Sequence, residues 1–158
     1  MSFWESLQQT WWVVAIQGSP WTYAALVVLH FSSVFLLVCT SALVDLRLLG
    51  LAARHGTATR LAVQFSPWTW TALGLAVLSG IPLFGNQAPA FAAVSYFWIK
   101  LLLMLAAAVL SMIVQRKVGP WEQSPSVPAP ARLLALISLL LWFGVIYASV
   151  QVTNYAGV

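Results

Sequence analysis

The sequence predicts an all-α integral membrane protein: a four-helix bundle preceded by an N-terminal interfacial amphipathic helix. Of its 158 residues 61% are hydrophobic and 6% are charged, and the mean hydropathy is +0.90. A soluble domain usually carries about 25% charged residues, so this chain has too few charges to cover itself with a water-facing surface. Its length suits a single domain over residues 1–158.

Four apolar stretches are each long enough to cross about 30 Å of hydrocarbon as a helix. They are apolar on all sides, which favours helices over the alternating strands of a closed barrel. The predicted spans are about 21–44, 67–84, 90–114 and 132–152. Ser19 and Ser66 each precede a Pro-Trp pair, the order of a capped helix start at a membrane interface. The first helix is expected to continue to Arg54.

The connections between the spans have distinct compositions. Residues 85–89 predict a tight turn that makes the second and third spans antiparallel neighbours. Residues 119–131 hold four prolines and predict an extended cytoplasmic linker.

The first 18 residues place apolar side chains at helical spacing. These are Phe3, Leu7, Trp11 and Val14. The pattern predicts an amphipathic helix on the outer membrane surface over residues 1–18. Its function is either plain anchoring or the docking of a periplasmic partner.

The basic residues predict the orientation. Six of the seven lie between spans one and two or between spans three and four: Arg47, Arg54, Arg60, Arg116, Lys117 and Arg132. The positive-inside rule therefore predicts a multi-pass protein of the bacterial inner membrane with both termini outside, in the periplasm. We expect Arg54, His55 and Arg60 to contact lipid headgroups. The basic residues form no dense patch, so nucleic acid is not an expected partner.

Two ionisable residues lie inside predicted spans, where such groups are costly and usually functional. His30 and Lys100 are each nine residues from the outer end of a span, roughly 13 Å deep. Ser79 and Tyr147 lie in the same outer half. These four residues predict an intramembrane polar pocket. The alternative is that Lys100 extends to the interface and His30 bonds a backbone carbonyl.

Three ligand classes suit this pocket. His30 could bind the iron of haem b, but His55 is 25 residues further along, towards the opposite side. Haem would therefore need a single protein ligand, a second ligand other than histidine, or a second chain. A quinone could accept hydrogen bonds from His30 and Lys100, and an anionic lipid or small acid could bind Lys100 directly.

Other chemistry is largely excluded by composition. Glu5, Asp45 and Glu122 are the only carboxylates, so no acid–base pair is expected. Cys39 is the single cysteine and is expected to be a small core residue. No phosphate-binding loop or HExxH motif is present.

A charge cluster is predicted at the inner end of the first span. Asp45 and Arg47 are two residues apart and face different sides of a helix. We expect Asp45 to pair with Arg116 or Arg132 of another helix and to fix the cytoplasmic packing.

Several of these features together resemble a family of small bacterial four-helix membrane proteins, a domain of unknown function. The most specific feature is the run Asp-Leu-Arg-Leu-Leu-Gly at 45–50, and the others are Ser19-Pro20-Trp21, His30, Pro67-Trp68, Lys100 and Trp142-Phe143-Gly144. The resemblance implies the four-helix topology, and it implies that His30, Asp45, Arg47 and Lys100 are family features. It implies no activity.

The leading hypothesis is a small non-catalytic membrane subunit of a redox or electron-transfer assembly, which holds or flanks a haem or a quinone near His30 and Lys100. One alternative is a transporter of ions or small molecules built from several copies. The other is a structural or assembly factor without a ligand. The expected partners are membrane lipid and either further copies of the chain or a larger membrane complex.

Overall fold

A computed structural model describes residues 2–51, 57–123 and 127–157. Within these ranges the chain forms seven helices and no strand. They are α1 (Phe3–Gln8), α2 (Trp11–Gln17), α3 (Pro20–Leu48), α4 (Ala58–Asn86), α5 (Ala88–Ala93), α6 (Ser95–Glu122) and α7 (Ala129–Ala156). The four helices α3, α4, α6 and α7 are long and apolar enough to cross a membrane. The predicted all-α, multi-pass membrane fold is therefore confirmed.

The four long helices form a closed antiparallel ring. α3 packs against α4, α4 against α6, α6 against α7, and α7 returns to α3. We name the two ends of the bundle by the residues near them. The His30 end is where α3 and α6 begin and where α4 and α7 end. The Arg47 end is where α3 and α6 end and where α4 and α7 begin.

The bundle interior contains two separate hydrophobic clusters. The cluster nearer the Arg47 end includes Val44, Leu48, Ala62, Val114 and Ala135. The cluster nearer the middle consists of Leu37, Ala72, Ala107, Trp142 and Val145. Alanines contribute to both clusters because small side chains let membrane helices approach closely. Large apolar side chains such as Phe35, Leu102 and Phe143 are exposed on the outside, where lipid covers them.

Helix α3 begins as predicted and ends earlier than predicted. Ser19 caps it, because its hydroxyl accepts a hydrogen bond from the Thr22 N–H at 3.4 Å. The helix ends at Leu48 because Gly50 has a positive φ of 77°. The N–H groups of Gly50 and Leu51 close the last turn in a Schellman motif. The predicted end at Arg54 is therefore wrong, and Arg54 and His55 lie outside the described residues.

Helix α4 begins well before the predicted Ser66-Pro67 start. Thr57 is its N-cap, since its hydroxyl accepts from the Arg60 N–H at 3.1 Å. Ser66 caps nothing and donates from its hydroxyl to Gln115 Oε1 of α6 at 3.0 Å. Pro67 lies inside the helix. An interior proline is tolerated in a membrane helix, so the Ser-Pro pair does not mark the start of α4.

Helix α6 is also longer than predicted at the Arg47 end. It continues through Gly119 and Pro120 to Glu122, so the predicted linker over 119–131 is wrong for its first residues. The Glu122 carboxylate accepts from the N–H groups of Ala58 at 2.6 Å and Thr59 at 3.0 Å. A carboxylate at a helix N-terminus is stabilising, and this contact accounts for the extra turn.

Two further span boundaries differ from the prediction. The third span is interrupted at Val94, whose extended backbone separates α5 from α6. The fourth helix begins at Ala129, with a proline in its first turn, and ends at Ala156. The turn between the second and third spans is confirmed, since α4 ends at Asn86 and α5 begins at Ala88.

The N-terminal segment forms two short helices instead of one. On its predicted apolar face Phe3 and Trp11 are exposed by 72% and 82% and Val14 by 52%, whereas Leu7 is half-buried. Aromatic side chains at such positions anchor a protein at the membrane interface. The opposite face packs inward, and Val13 is completely buried.

This segment docks on the C-terminal end of α4. The side-chain amides of Gln8 and Gln17 both donate to the carbonyl oxygen of Asn86, at 2.9 and 3.3 Å. Gly85 makes the contact possible, because a Cβ there would lie 2.8 Å from the Trp12 ring. The two amides satisfy a carbonyl that the end of a helix leaves unpaired.

An aromatic cluster closes the His30 end of the bundle. It contains Trp4, Phe84, Phe91, Phe97 and Trp98. The rings of Phe84 and Phe97 stack with centroids 4.8 Å apart. The cluster joins α1, α4, α5 and α6, and its Trp98 indole N–H donates to the Ala92 carbonyl at 3.1 Å.

Candidate functional site

His30 lies on the interior side of α3 and is fixed by α4. It is half-buried and lies ten residues after Pro20, roughly 15 Å along the helix. Its Nδ1 atom is 3.0 Å from the carbonyl oxygen of Ala76 and 3.1 Å from Ser79 Oγ. A carbonyl oxygen can only accept, so Nδ1 carries the hydrogen. The lone pair of the neutral imidazole is therefore on Nε2.

The α4 surface against His30 is made of small residues. Ser79 accepts from Nδ1 while its own hydroxyl donates to the Leu75 carbonyl at 2.6 Å. Gly80 lies directly against the ring, because a Cβ at this position would be 3.1 Å from His30 Cε1. This close approach brings Nδ1 within reach of the α4 backbone.

Lys100 of α6 is the second ionisable residue at the His30 end. It is half-buried, and its charge acts on the His30 imidazole. It lies five residues after the start of α6 at Ser95, and the equal depth of His30 and Lys100 stays a prediction. Within the described ranges no hydrogen bond or ion pair involves the Lys100 amine.

Tyr147 does not join these residues. Its side chain is 57% exposed on the outer side of α7, and no described contact links it to His30. Of the four predicted pocket residues, His30 and Ser79 are joined by a hydrogen bond, and Lys100 lies close enough for its charge to act on His30. A depth estimate cannot tell the inner from the outer side of a helix that is apolar all round.

The described residues contain no group of three or more His, Cys, Asp or Glu side chains that could hold a metal ion. Among the described residues His30 is also the one histidine, so the ligand that they offer here is a single imidazole. That donor set does not suit a structural zinc ion, which needs four ligands. It does suit haem, whose iron takes one or two axial ligands from the protein.

The predicted pairing of Asp45 with Arg116 or Arg132 is wrong. Asp45 is only 2% exposed, whereas both arginines are exposed because they lie on outward faces of α6 and α7. The Asp45 carboxyl lies beside the Ser138 hydroxyl of α7. Arg47 instead lies close enough to Glu122 for their charges to interact.

A layer of buried hydroxyl groups, which the sequence analysis missed, crosses the bundle near Asp45. We call Ser41, Thr69, Ser111 and Ser138 the hydroxyl layer. Each of the four long helices contributes one member, and all four are buried. Ser41, for example, lies between Leu37 of one hydrophobic cluster and Val44 of the other. The sequence feature that could have revealed the layer is a Ser or Thr on the inward-facing side of every span. That side is hard to identify in helices that are apolar all round.

Most polar atoms in and beside this layer lack a hydrogen-bond partner. Thr69 is satisfied, since its hydroxyl hydrogen-bonds to Thr40 Oγ1 at 3.0 Å. The unpartnered buried atoms are Ser41 Oγ, Asp45 Oδ2, Ser111 Oγ, Ser138 Oγ and Trp142 Nε1. Buried polar groups without a partner are rare in folded proteins and call for an explanation.

The fold and these polar groups define a helical membrane protein with four candidate spans and ionisable residues in its interior. Comparisons with protein-family models, with curated proteins and with solved structures give no match for this chain. The resemblance to a family of small four-helix membrane proteins therefore stays a prediction.

Proposed function

We propose that this chain is a small non-catalytic subunit of a membrane redox assembly and that it binds a redox cofactor at His30. The observation that carries the proposal is the hydrogen bond from Nδ1 to the Ala76 carbonyl. Histidines that ligate a metal through one nitrogen almost always donate from the other to a carbonyl, a carboxylate or water. The bond leaves Nε2 as the nitrogen that can donate an electron pair.

Haem b is the first cofactor that fits this arrangement. The Nε2 atom of His30 would be an axial ligand to its iron, and the small α4 residues would hold the ring orientation. The chain would supply one histidine ligand, so a second ligand would come from another copy or from a partner subunit. This agrees with a role inside an assembly.

A quinone is the second cofactor, and it would use both ionisable residues. The Lys100 ammonium can donate to a quinone carbonyl, whereas the unprotonated His30 Nε2 can accept from the hydroxyl of the reduced quinol. His30 would then favour the reduced form and Lys100 the oxidised form. Haem would use His30 alone, so the requirement for Lys100 distinguishes the two cofactors.

The distribution of charge supports an orientation for the assembly. Arg47, Arg60, Arg116 and Arg132 all belong to the Arg47 end, and the positive-inside rule assigns such an end to the cytoplasm. We therefore propose a location in the bacterial inner membrane, with the His30 end facing the periplasm. A cofactor at His30 would exchange electrons nearer the periplasmic surface.

The proposal is tested on protein purified from its native membrane in mild detergent. An absorption spectrum with a pyridine haemochrome assay detects haem, and solvent extraction followed by chromatography detects quinone. We expect one of the two at a constant ratio to protein and its loss in His30→Ala. Loss in Lys100→Met as well indicates quinone, and retention there indicates haem. A preparation that holds neither cofactor, and whose thermal stability is unchanged in His30→Ala, would overturn the proposal.

A further inference from the structure

We propose that the hydroxyl layer binds internal water and that Asp45, at its edge, exchanges a proton with this water. The inference does not depend on a cofactor at His30. It rests on buried polar atoms without a hydrogen-bond partner, which three helices contribute to one layer of the interior. These atoms belong to Ser41 and Asp45 of α3, Ser111 of α6 and Ser138 of α7.

The first argument is the contrast with other serines of the same helices. The hydroxyls of Ser33, Ser79 and Ser149 each donate to the carbonyl four residues earlier, at 2.6 to 2.7 Å. That bond is the usual way for serine to be satisfied in a membrane helix. Ser41, Ser111 and Ser138 do not make it, although they are almost completely buried. A partner other than their own helix is therefore needed; for Ser138 the neighbouring Asp45 carboxyl can be one of its partners.

The second argument is the mixture of donors and acceptors. The Trp142 indole N–H can only donate, whereas a serine hydroxyl can donate and accept. A metal cation would satisfy the oxygens and would be repelled by the indole N–H. Water can accept from Trp142 and donate to Asp45 and to the serines, and buried water characteristically makes about three such bonds.

The third argument is space. The hydroxyl layer consists of small side chains, whereas the flanking clusters contain Leu37 and Trp142 on one side and Val44 and Leu48 on the other. We infer room for a water molecule in this layer because serine and threonine side chains are small. A polar site with room is where internal water is expected.

The fourth argument concerns the charge on Asp45. Among the described groups at this end, Arg60 of α4, Arg116 and Lys117 of α6 and Arg132 of α7 are all exposed. Arg47, on α3 itself, interacts with Glu122 of α6. The group that faces Asp45 from α7 is the neutral Ser138 hydroxyl. A buried carboxylate without an ion-pair partner is costly. We therefore expect the Asp45 carboxyl to bind and release a proton, with the adjacent water as the group that supplies and accepts it.

The test uses the full-length protein in liposomes and an apolar carbodiimide, which reacts with protonated carboxyl groups inside membranes. Peptide mass spectrometry reports which of the three carboxyls is modified. We expect Asp45 to be labelled and Glu5 and Glu122 to stay unlabelled. The labelling rate of Asp45 should fall about tenfold per pH unit above its titration midpoint, as the neutral form becomes rare.

Infrared spectroscopy tests the water. The protonated Asp45 carbonyl band should shift in heavy water and disappear in Asp45→Asn. Ser138→Ala should move the band, because it changes the hydrogen bonding of the carboxyl. Ser33→Ala is the matched control, since that hydroxyl is satisfied by its own helix, and it should leave the band in place.

Two results would overturn the proposal. One is the absence of Asp45 labelling at every pH, together with no band that is sensitive to heavy water. The other is protection of Asp45 by sodium at constant pH, which would assign the layer to a cation. Both results are obtained with the unmodified chain, so poor folding of a variant cannot obscure them.

Discussion

His30 of α3 and Ala76 of α4 are joined by a hydrogen bond of 3.0 Å from the imidazole Nδ1 to the backbone carbonyl. The bond crosses the interface between two adjacent long helices and uses an acceptor that no side-chain substitution can remove. It sets the imidazole tautomer and directs the Nε2 lone pair away from α4. The chemistry of the His30 end follows from this contact, and the first two predictions test it.

Gly80→Ala should displace the His30 ring. The new Cβ would lie 3.1 Å from Cε1, and the imidazole must move by a few tenths of an ångström to accept it. We expect cofactor retention during purification to fall several-fold. Gly74→Ala on the same helix is the control, since nothing lies within 4 Å of its added Cβ. Equal retention in the two variants would contradict the importance of this contact.

Ser79→Ala and Tyr147→Phe should differ in their effects on the site. Ser79 accepts from His30 Nδ1 at 3.1 Å, so its removal should broaden or shift the absorption spectrum or weaken quinone retention. Loss of one such bond costs about 1 kcal/mol. The effect should be partial, because the hydrogen bond from Nδ1 to the Ala76 carbonyl remains. Tyr147 is exposed, and Tyr147→Phe should leave the cofactor unchanged. An effect of Tyr147→Phe equal to that of Ser79→Ala would show that the tyrosine belongs to the site.

Glu122→Ala should loosen the Arg47 end. The carboxylate satisfies two N–H groups in the first turn of α4, and loss of a helix cap costs about 1 kcal/mol. We expect a lower thermal unfolding temperature in detergent and an intermediate value for Glu122→Gln, which keeps one acceptor. Gln123→Ala, one residue later and exposed, should have the wild-type value. An equal fall in the unfolding temperature of Gln123→Ala would mean that a change at the end of α6, and not the loss of the cap, lowers the stability.

Gly85→Ala should detach the N-terminal helices from α4. The added Cβ would lie 2.8 Å from the Trp12 ring and 3.0 Å from Val13, and such overpacking costs typically 1–3 kcal/mol, as an order of magnitude. We expect limited proteolysis to cut the first 17 residues faster. Gly18→Ala is the control, because its Cβ would make ordinary contacts of 3.5 Å or more. Unchanged cleavage in Gly85→Ala would show that the segment is held elsewhere.

The proposed orientation predicts a pattern of surface labelling. In a Cys39→Ala background, Gly157→Cys reports on the His30 end and Lys117→Cys on the Arg47 end. A membrane-impermeant maleimide should label only Gly157→Cys in intact cells and only Lys117→Cys in inverted vesicles, because inversion exchanges the side that the reagent reaches. The reverse pattern would place the basic end outside and refute the positive-inside assignment.

The sequence predicted the spans well and their boundaries poorly, for identifiable physical reasons. Hydropathy locates the hydrocarbon core, whereas the ends of helices depend on local contacts. Ser66-Pro67 looked like a helix start, but Thr57 provides the cap and Ser66 bonds across to Gln115. Gly119-Pro120 looked like a break, but Glu122 reaches the first turn of α4. Such contacts join residues far apart in sequence, which no local pattern contains.

The candidate site was predicted in part. Ionisable residues in an apolar span are conspicuous, so His30 and Lys100 could be selected without a structure. The hydroxyl layer could not, because Ser111 and Ser138 are ordinary residues in membrane helices and matter only through what lies opposite them. Tyr147 was assigned by depth alone, and depth does not fix the direction of a side chain.

The shared acceptor at Asn86 has a consequence for the biogenesis of the protein. Gln8 and Gln17 bind a carbonyl that lies 78 and 69 residues later in the chain. During synthesis their docking surface does not exist until both α3 and α4 have left the ribosome. The aromatic face of α1 and α2 must meanwhile rest on lipid or on the insertion machinery. Completion of the α3–α4 hairpin is thus the first point at which the amino-terminal segment can dock, and α1 reaches its final position once α5 and α6 have followed.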